Sequence, residues 1–542
     1  VDLRPYQREC LTRLHARYRA GKRRLLVSLP TGTGKTVIFA QFPRFFSMKR
    51  RLLVLAHREE LLDQALDKFK AVDPGLSVGV EQAARRAGDA QVVVASVPTL
   101  RGARLAALPP AEFYLVVVDE AHHAVASSYR AIFDHFGLLA PDTPRMLVGF
   151  TATPRRGDRQ PLGAVFEEIA YSKSLEEMIA AGFLCPITGY RVTSEVSLDG
   201  VRVRAGDFVE SELARAVNVE GRNDLLLAAY RKLAPGRRGV VFCADVAHAR
   251  SVAATFREAG VAAAAVYGAM PAAERRDTLG RFHTGALTVV TNCNVLTEGF
   301  DEPLVDCIVM ARPTRSLLLY AQMIGRGTRL APGKEQLLVI DVVDNSRQHS
   351  LAGLGRLFDL PDTLDLRGAD VLRTAHALRD LAARAPWVDV ERIANPRDIP
   401  IAAERLEFFR FEPPDAIAGA TDLAWVGDAG GGFRLGLPGG ELLHARPTLL
   451  GDFEVLLERP AAPAQQLARG RDAADAVRAA DAVVRRRWPD ALKVLERDAS
   501  WRGREATEKQ LAILRARGLP APPTLTRGQA SWMLAHVLRR GS

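Results

Sequence analysis

At 542 residues the chain is too long for one core, and roughly three or four domains are expected. An apolar fraction of 48% with 25% charged residues is that of ordinary soluble globular protein, and no apolar run approaches the roughly 18 residues of a membrane helix. A net charge of +11 favours an anionic partner. Cys10, Cys185, Cys243, Cys293 and Cys307 are scattered without a C-x-x-C pair, which argues against a zinc module and a disulfide scaffold and for buried thiols. The opening "VDLRPYQREC" lacks the basic and apolar regions of a signal peptide, so a cytoplasmic location is expected.

Along the chain, short β-branched runs end in polar residues: "RLLVSLP", "RLLVLAH", "QVVVASV", "YLVVVDEAHH" and "RMLVGFTATP". Helix-like segments such as "REELLDQALDKFKAV" separate most of them, which predicts a parallel sheet buried on both faces. Ligand groups then belong at the carboxyl ends of the strands, where these polar tails fall. "YRVTSEVSLDGVRVRAGDF" alternates about Asp199-Gly200 and predicts a β-hairpin. A second series, "GVVFCAD", "VAAAAVYG", "LTVVTNC", "VDCIVMARP" and "QLLVIDVVD", predicts another α/β lobe. The expected organisation is lobe 1 over 1–185, a hairpin linker over 186–224 and lobe 2 over 225–360. A helical linker over 361–403 follows, then a small antiparallel β domain over 404–460 and a basic helical domain over 461–542, with helix expected from Ala464. From Ala464 onward, 16 basic residues stand against 8 acidic ones.

The chemistry starts in "LPTGTGKT", Leu29 to Thr36. Gly32 and Gly34, alternating with Thr31 and Thr33, let backbone N–H groups face phosphate oxygens. Lys35 reaches the outer phosphates, and the Thr36 hydroxyl suits Mg²⁺. Leu29 stands where the usual phosphate-loop pattern has its first glycine, so the loop needs partners elsewhere. "VVVDEAHH" supplies carboxylates at a strand end: Asp119 for the metal and Glu120 for an attacking water. "QMIGRGTRL" supplies Arg326 and Arg329, on one face if helical, to meet charge on a transferring phosphoryl group from the opposite side. The nucleotide must then lie between the lobes.

The ordered set "RPYQ", "LPTGTGKT", "LAHREELLDQ", "DEAH", "TATP", "TNCNVLTEGFD" and "QMIGRGTR" resembles superfamily 2 helicases of the DEAH type across both lobes, and so implies two RecA-like lobes using ATP and Mg²⁺. By that resemblance Arg4 and Gln7 contact adenine, and Thr31, Gly32, Thr33, Gly34, Lys35, Thr36, Asp119 and Glu120 surround the phosphates and metal. His122 couples to Thr151 and Thr153, and Gly299 and Asp301 lie near the ribose. Gln322 lies near the hydrolytic water, and Arg326 and Arg329 reach the γ-phosphate. His57, Arg58, Ser96, Thr99 and Thr291 match positions that track a nucleic-acid backbone, whereas His123 carries no role.

Glu298 stands where DEAD-type RNA helicases carry arginine. "TEGFD" with "RPTRSLLLYAQMIGRGTRL" is similar to XPB-like and RadD-like DNA helicases. "APGKEQLLVIDVVDNSRQHS" most resembles yeast mitochondrial helicases acting on branched DNA, which implies a forked, branched or partly single-stranded DNA partner; the oligomeric state is not legible in the sequence, and a monomer is favoured. An RNA helicase of the same fold and the motor of a restriction or defence assembly are the alternatives. In the tail, Arg485, Arg486, Arg487 and Arg502 accompany Trp488 and Trp501. They read either as phosphate contacts with base stacking or as a packed module with solvated arginines.

Overall fold

The computed structural model describes residues 2–56, 59–152, 162–297, 300–345, 351–384, 390–400, 415–427, 431–438, 441–448, 451–459, 462–516, 521 and 525–537. The chain divides into two compact units, Val1–Thr374 and Ala375–Ser542. Among the described residues no helix is long and apolar enough to cross a membrane.

The first unit holds two parallel sheets. Lobe 1 contains β1 (Arg24–Ser28), β2 (Arg51–Ala56), β3 (Val78–Glu81), β4 (Val92–Ser96), β5 (Phe113–Val118), β6 (Met146–Thr151) and β7 (Glu168–Ser172), in the order β3-β4-β2-β5-β6-β1-β7. All five residues of β4 are buried, as a strand covered on both faces requires. Leu53, Val93, Val116 and Val118 pack there with Phe133 and Phe136. Helix α1 (Pro5–Arg19) precedes β1, and α2 (Lys35–Ala40) follows it. The edge strands β3 and β7 lack the long apolar runs by which their five neighbours announce themselves.

Lobe 2 contains β8 (Ile187–Ser197), β11 (Gly239–Phe242), β12 (Ala263–Val266), β13 (Val289–Asn292), β14 (Cys307–Met310) and β15 (Leu337–Asn345), in the order β12-β13-β11-β14-β15-β8. The expected hairpin about Asp199-Gly200 is corrected here. A turn does form, with Val201 N donating to Leu198 O at 3.0 Å, but its flanks pair elsewhere. β8 lies parallel to β15 and becomes the edge of the lobe 2 sheet. The hairpin itself joins β9 (Val203–Arg204) and β10 (Asp207–Phe208) through Ala205 and Gly206, both at positive φ (51° and 90°). Two consecutive left-handed residues twist a chain reversal in the sense that a strand pair needs.

The second unit carries an antiparallel sheet of β16 (Val426–Gly427), β17 (Phe433–Gly436), β18 (Leu442–Pro447), β19 (Phe453–Arg459) and β20 (Ala462–Gly470), in that order. The strand β20 occupies residues expected to be helical, so the following helix starts at Ala473 and runs to Arg487. Trp425, Leu443, Val455 and Leu457 meet Ala476, Val477 and Val484 of that helix in one core. At its centre the buried Asp481 accepts from Trp425 Nε1 at 2.7 Å and from the Thr421 hydroxyl. A smaller cluster joins Leu511 and Leu514 to Leu525, Ala530 and Met533.

Candidate active site

The loop after β1 turns through two left-handed glycines, Gly32 (φ 86°) and Gly34 (φ 73°). Helix α1 braces it from behind: the Tyr6 hydroxyl and Gln7 Nε2 both donate to the Thr33 carbonyl, the latter at 3.2 Å. The Thr33 hydroxyl closes the turn onto Pro30 O at 2.7 Å. The amide of Gln7, expected at a base, is thus occupied by the loop and by Arg4 N, which donates to its Oε1 at 3.0 Å. Side chains of Tyr6, Gln7 and Thr33 set the loop, and Thr31, Gly32, Gly34, Lys35 and Thr36 line a cavity of about 300 Å³.

The carboxylates reach that cavity by a backbone device. β5 ends at Val118, Asp119 N donates to Leu55 O at 3.0 Å, and Glu120 adopts the left-handed conformation (φ 52°, ψ 55°). Such a conformation in a non-glycine residue costs about 1–3 kcal/mol and persists only where the surroundings enforce it. It sends two adjacent side chains to different places. Asp119 Oδ1 accepts the Glu120 N–H at 3.0 Å, while Glu120 Oε1 lies 3.6 Å from Lys35 Nζ and its Oε2 lies 3.4 Å from His122 Nδ1. Burial raises the Glu120 pKa, but Lys35, His122 and Arg326 outweigh it and hold the carboxyl well below the usual range. Glu120 is therefore ionised at neutral pH.

Lobe 2 completes the wall with Asp301, Arg326 and Arg329. The two arginines would share a face if helical, but the helix Leu317–Gly325 ends before them, with Arg326 as its cap. They converge by another route, each donating from Nη1 to Phe300 O at 3.1 Å, and Arg326 Nε also donates to Thr297 O at 3.0 Å. Arg329 Nη1 pairs with Asp301 Oδ1 at 3.0 Å. The lobes touch here, since a Cβ placed on Gly32 would meet Arg329 Cγ at 3.2 Å and Gly325 O at 3.3 Å.

Thr31 Oγ1 and Lys35 Nζ are buried without a hydrogen-bond partner, so donors converge where an oxygen-rich anion would supply acceptors. Thr36 and Asp119 on the same wall offer the hard oxygen donors that Mg²⁺ takes. Both groups fit the residues present.

Other positions divide clearly. Gln322 is buried with Nε2 unpartnered but does not line the cavity. Thr151 ends β6, its carbonyl accepting Leu29 N at 2.9 Å. Ser96 and Thr99 lie at the carboxyl end of β4. Thr291, expected on a nucleic-acid track, has a fully enclosed side chain whose hydroxyl donates to Ala249 O at 2.6 Å, within lobe 2. His57, Arg58, Thr153 and Gly299 lie outside the described residues. In the second unit Arg486 is exposed, and Trp488 packs against the core beneath the sheet. Trp501 is half-buried, and the Arg502 guanidinium sits 4.7 Å above its ring while donating to Glu496 O and Val494 O. Lys68 and Phe183 also line the cavity and escaped the sequence reading, because neither belongs to a spaced motif.

Residues 1–156 match the family described as type III restriction enzyme, res subunit; 221–331 match the helicase conserved C-terminal domain; and 450–542 match the mitochondrial helicase Irc3 C-terminal domain. The chain is 34% identical to the IRC3 protein of Saccharomyces cerevisiae over 394 residues, covering 70% of this chain and 56% of that protein. It is 36% identical to the irc3 protein of Schizosaccharomyces pombe over 358 residues, covering 65% and 59%. It thus spans less than two thirds of the length of either relative. The endonuclease subunit of the Escherichia coli type I restriction enzyme EcoKI is 26% identical, over 64% of this chain and 34% of that one. Among solved structures, the type ISP restriction-modification enzyme LlaBIII superposes with a TM-score of 0.51 at 16% identity, over 73% of this chain and 31% of that one; it bears on the fold alone. Two RecA-like lobes and a C-terminal segment matching the Irc3 family therefore stand in one polypeptide, which is similar in sequence to the yeast Irc3 proteins.

Proposed function

We propose that the chain is an ATP-dependent DNA helicase or duplex translocase that acts, as a monomer in the cytoplasm, on forked, branched or partly single-stranded DNA in repair or replication. One observation carries the reading: Lys35, Asp119 and Glu120 from one lobe and Arg326 and Arg329 from the other line a single cavity of about 300 Å³. ATP in that cavity would lay its phosphates on the Thr31–Thr36 loop and Lys35, with Arg4 toward the base and Asp301 toward the ribose. Mg²⁺, held by Thr36 and Asp119, would neutralise phosphate charge. Glu120, held ionised beside Lys35, orients the attacking water and accepts its proton, and His122 steadies that carboxylate. Arg326 and Arg329 meet the charge developing on the transferred group, a role worth about 10³–10⁵ in turnover. Because those arginines belong to the second lobe, hydrolysis and release loosen the hold of one lobe on the other, which is how chemistry becomes movement along a strand. Ser96 and Thr99, with His57, Arg58 and Arg486, are the proposed contacts to the sugar–phosphate backbone.

The test compares stimulation of ATP hydrolysis by duplex, forked and single-stranded DNA with stimulation by RNA, followed by unwinding over tailed duplexes, forks and junctions. Stimulation by RNA alone overturns the DNA reading. A second reading, the motor of a restriction or defence assembly, is favoured by the match of residues 1–156 to a restriction subunit. Unwinding by the isolated protein would count against it.

A further inference from the structure

A second cavity, of about 290 Å³, opens on lobe 1 away from the nucleotide cleft. Its walls are Tyr18 of α1, Phe46 and Met48 of the turn before β2, Tyr114 and Leu115 of β5, and Met146 at the start of β6. Leu115 and Met146 are buried, the Tyr18 and Tyr114 hydroxyls hydrogen-bond to each other, and Arg23 stacks 4.6 Å above the Tyr18 ring. Burial and the neighbouring Tyr18 raise the Tyr114 phenol, so its hydroxyl stays neutral at physiological pH. Two exposed cations, Lys49 and Arg50, line the same cavity, and none of its lining residues is a carboxylate. Phe45, 39% exposed, adds an apolar face beside it.

We infer that this cavity docks a short acidic peptide of another protein, with one or two bulky apolar side chains inserted and carboxylates set against Lys49 and Arg50. The occupant follows from complementarity. The space lies at the small end of ligand sites, about 300–1,000 Å³, and accepts an anchor side chain in the way that interface hot spots do. The rim is cationic, so the flanking residues of the peptide are acidic. Nucleic acid fits the position less well. The cavity sits at the amino ends of β2, β5 and β6, whereas the nucleotide loop and Ser96 lie at the carboxyl ends of β1 and β4. Strands of this length separate the two edges by roughly 17–20 Å.

The full chain is titrated against a fluorescein-labelled peptide, Asp-Asp-Asp-Asp-Ile-Leu-Phe, with anisotropy as readout. Saturable binding is expected, weakened about tenfold or more by the paired exposed changes Lys49→Glu and Arg50→Glu and by replacing the final Ile-Leu-Phe with serines. Tyr18→Ala, which widens the cavity and removes the hydrogen bond to Tyr114, should weaken it as well, and ATP hydrolysis by each variant reports an intact lobe. No saturable binding below about 1 mM overturns the proposal. So does a single-stranded oligonucleotide that displaces the peptide and is itself weakened by the same pair of changes, because the cavity then serves nucleic acid.

Discussion

Replacing Gly325 by alanine asks whether the two lobes must close on the phosphate loop. An added Cβ would stand 2.5 Å from Thr31 Cβ and 3.2 Å from both its Oγ1 and its Cγ2. Carbon atoms pack at about 3.5–4.0 Å, so the facing surfaces must part by about 1 Å. Thr31 cannot turn away, since the nearest clash is with its Cβ and the next residues are pinned through the Thr33 carbonyl by Tyr6 and Gln7. A displacement of about 1 Å between reacting groups costs about 10²-fold, or roughly 2.7 kcal/mol. The expected outcome is a kcat for ATP hydrolysis reduced about a hundredfold, with a much smaller change in ATP affinity, because Lys35 and the loop amides remain. Steady-state hydrolysis at saturating DNA gives kcat, and equilibrium binding of a fluorescent ATP analogue gives the affinity. A kcat within about threefold of the parent refutes the requirement for lobe closure.

Glu120→Gln should bind ATP normally yet turn over at least about 10²-fold more slowly, whereas Lys35→Ala should weaken nucleotide binding as well; rapid-quench hydrolysis and equilibrium binding separate the two. Asp341, half-buried beside the Tyr320 hydroxyl at 2.9 Å, has its pKa raised to about 6, chiefly by burial. The folded state therefore holds that proton where the unfolded chain has released it, and stability falls as pH rises from about 4 to about 6. Asp341→Asn should remove that fall and gain about 2–3 kcal/mol at pH 7.5 but little at pH 4, measured by urea denaturation at each pH. The paired change Arg486→Ala and Arg487→Ala should reduce the log–log salt dependence of DNA binding by about 0.9 for each phosphate left without its arginine; an unchanged slope returns that helix end to a purely structural role. Asp481→Ala strands the Trp425 and Thr421 donors and should destabilise the second unit by about 2–5 kcal/mol in thermal unfolding, and a smaller loss would mean that water replaces the carboxylate.

The sequence alone determined which chemical groups exist and in what order. Lys35, Asp119, Glu120, Arg326 and Arg329 are legible because each sits in a short spaced motif. Ten of the strands are legible because a strand buried on both faces must be apolar throughout. Tertiary structure decided where those groups point and what pairs with what. The period-2 pattern of β8 is the same whether its partner lies a few residues away or at β15, so a local reading gave it a hairpin. Arg326 and Arg329 face the cavity through carbonyls at Thr297 and Phe300, not through helical spacing. Thr291 carries a hydroxyl suited to a phosphate, yet the helix packed over β13 takes that hydroxyl for Ala249 O. Spacing along a chain fixes neighbours within one helical turn or one strand. Pairings across hundreds of residues depend on which surfaces remain to be buried once those elements have formed.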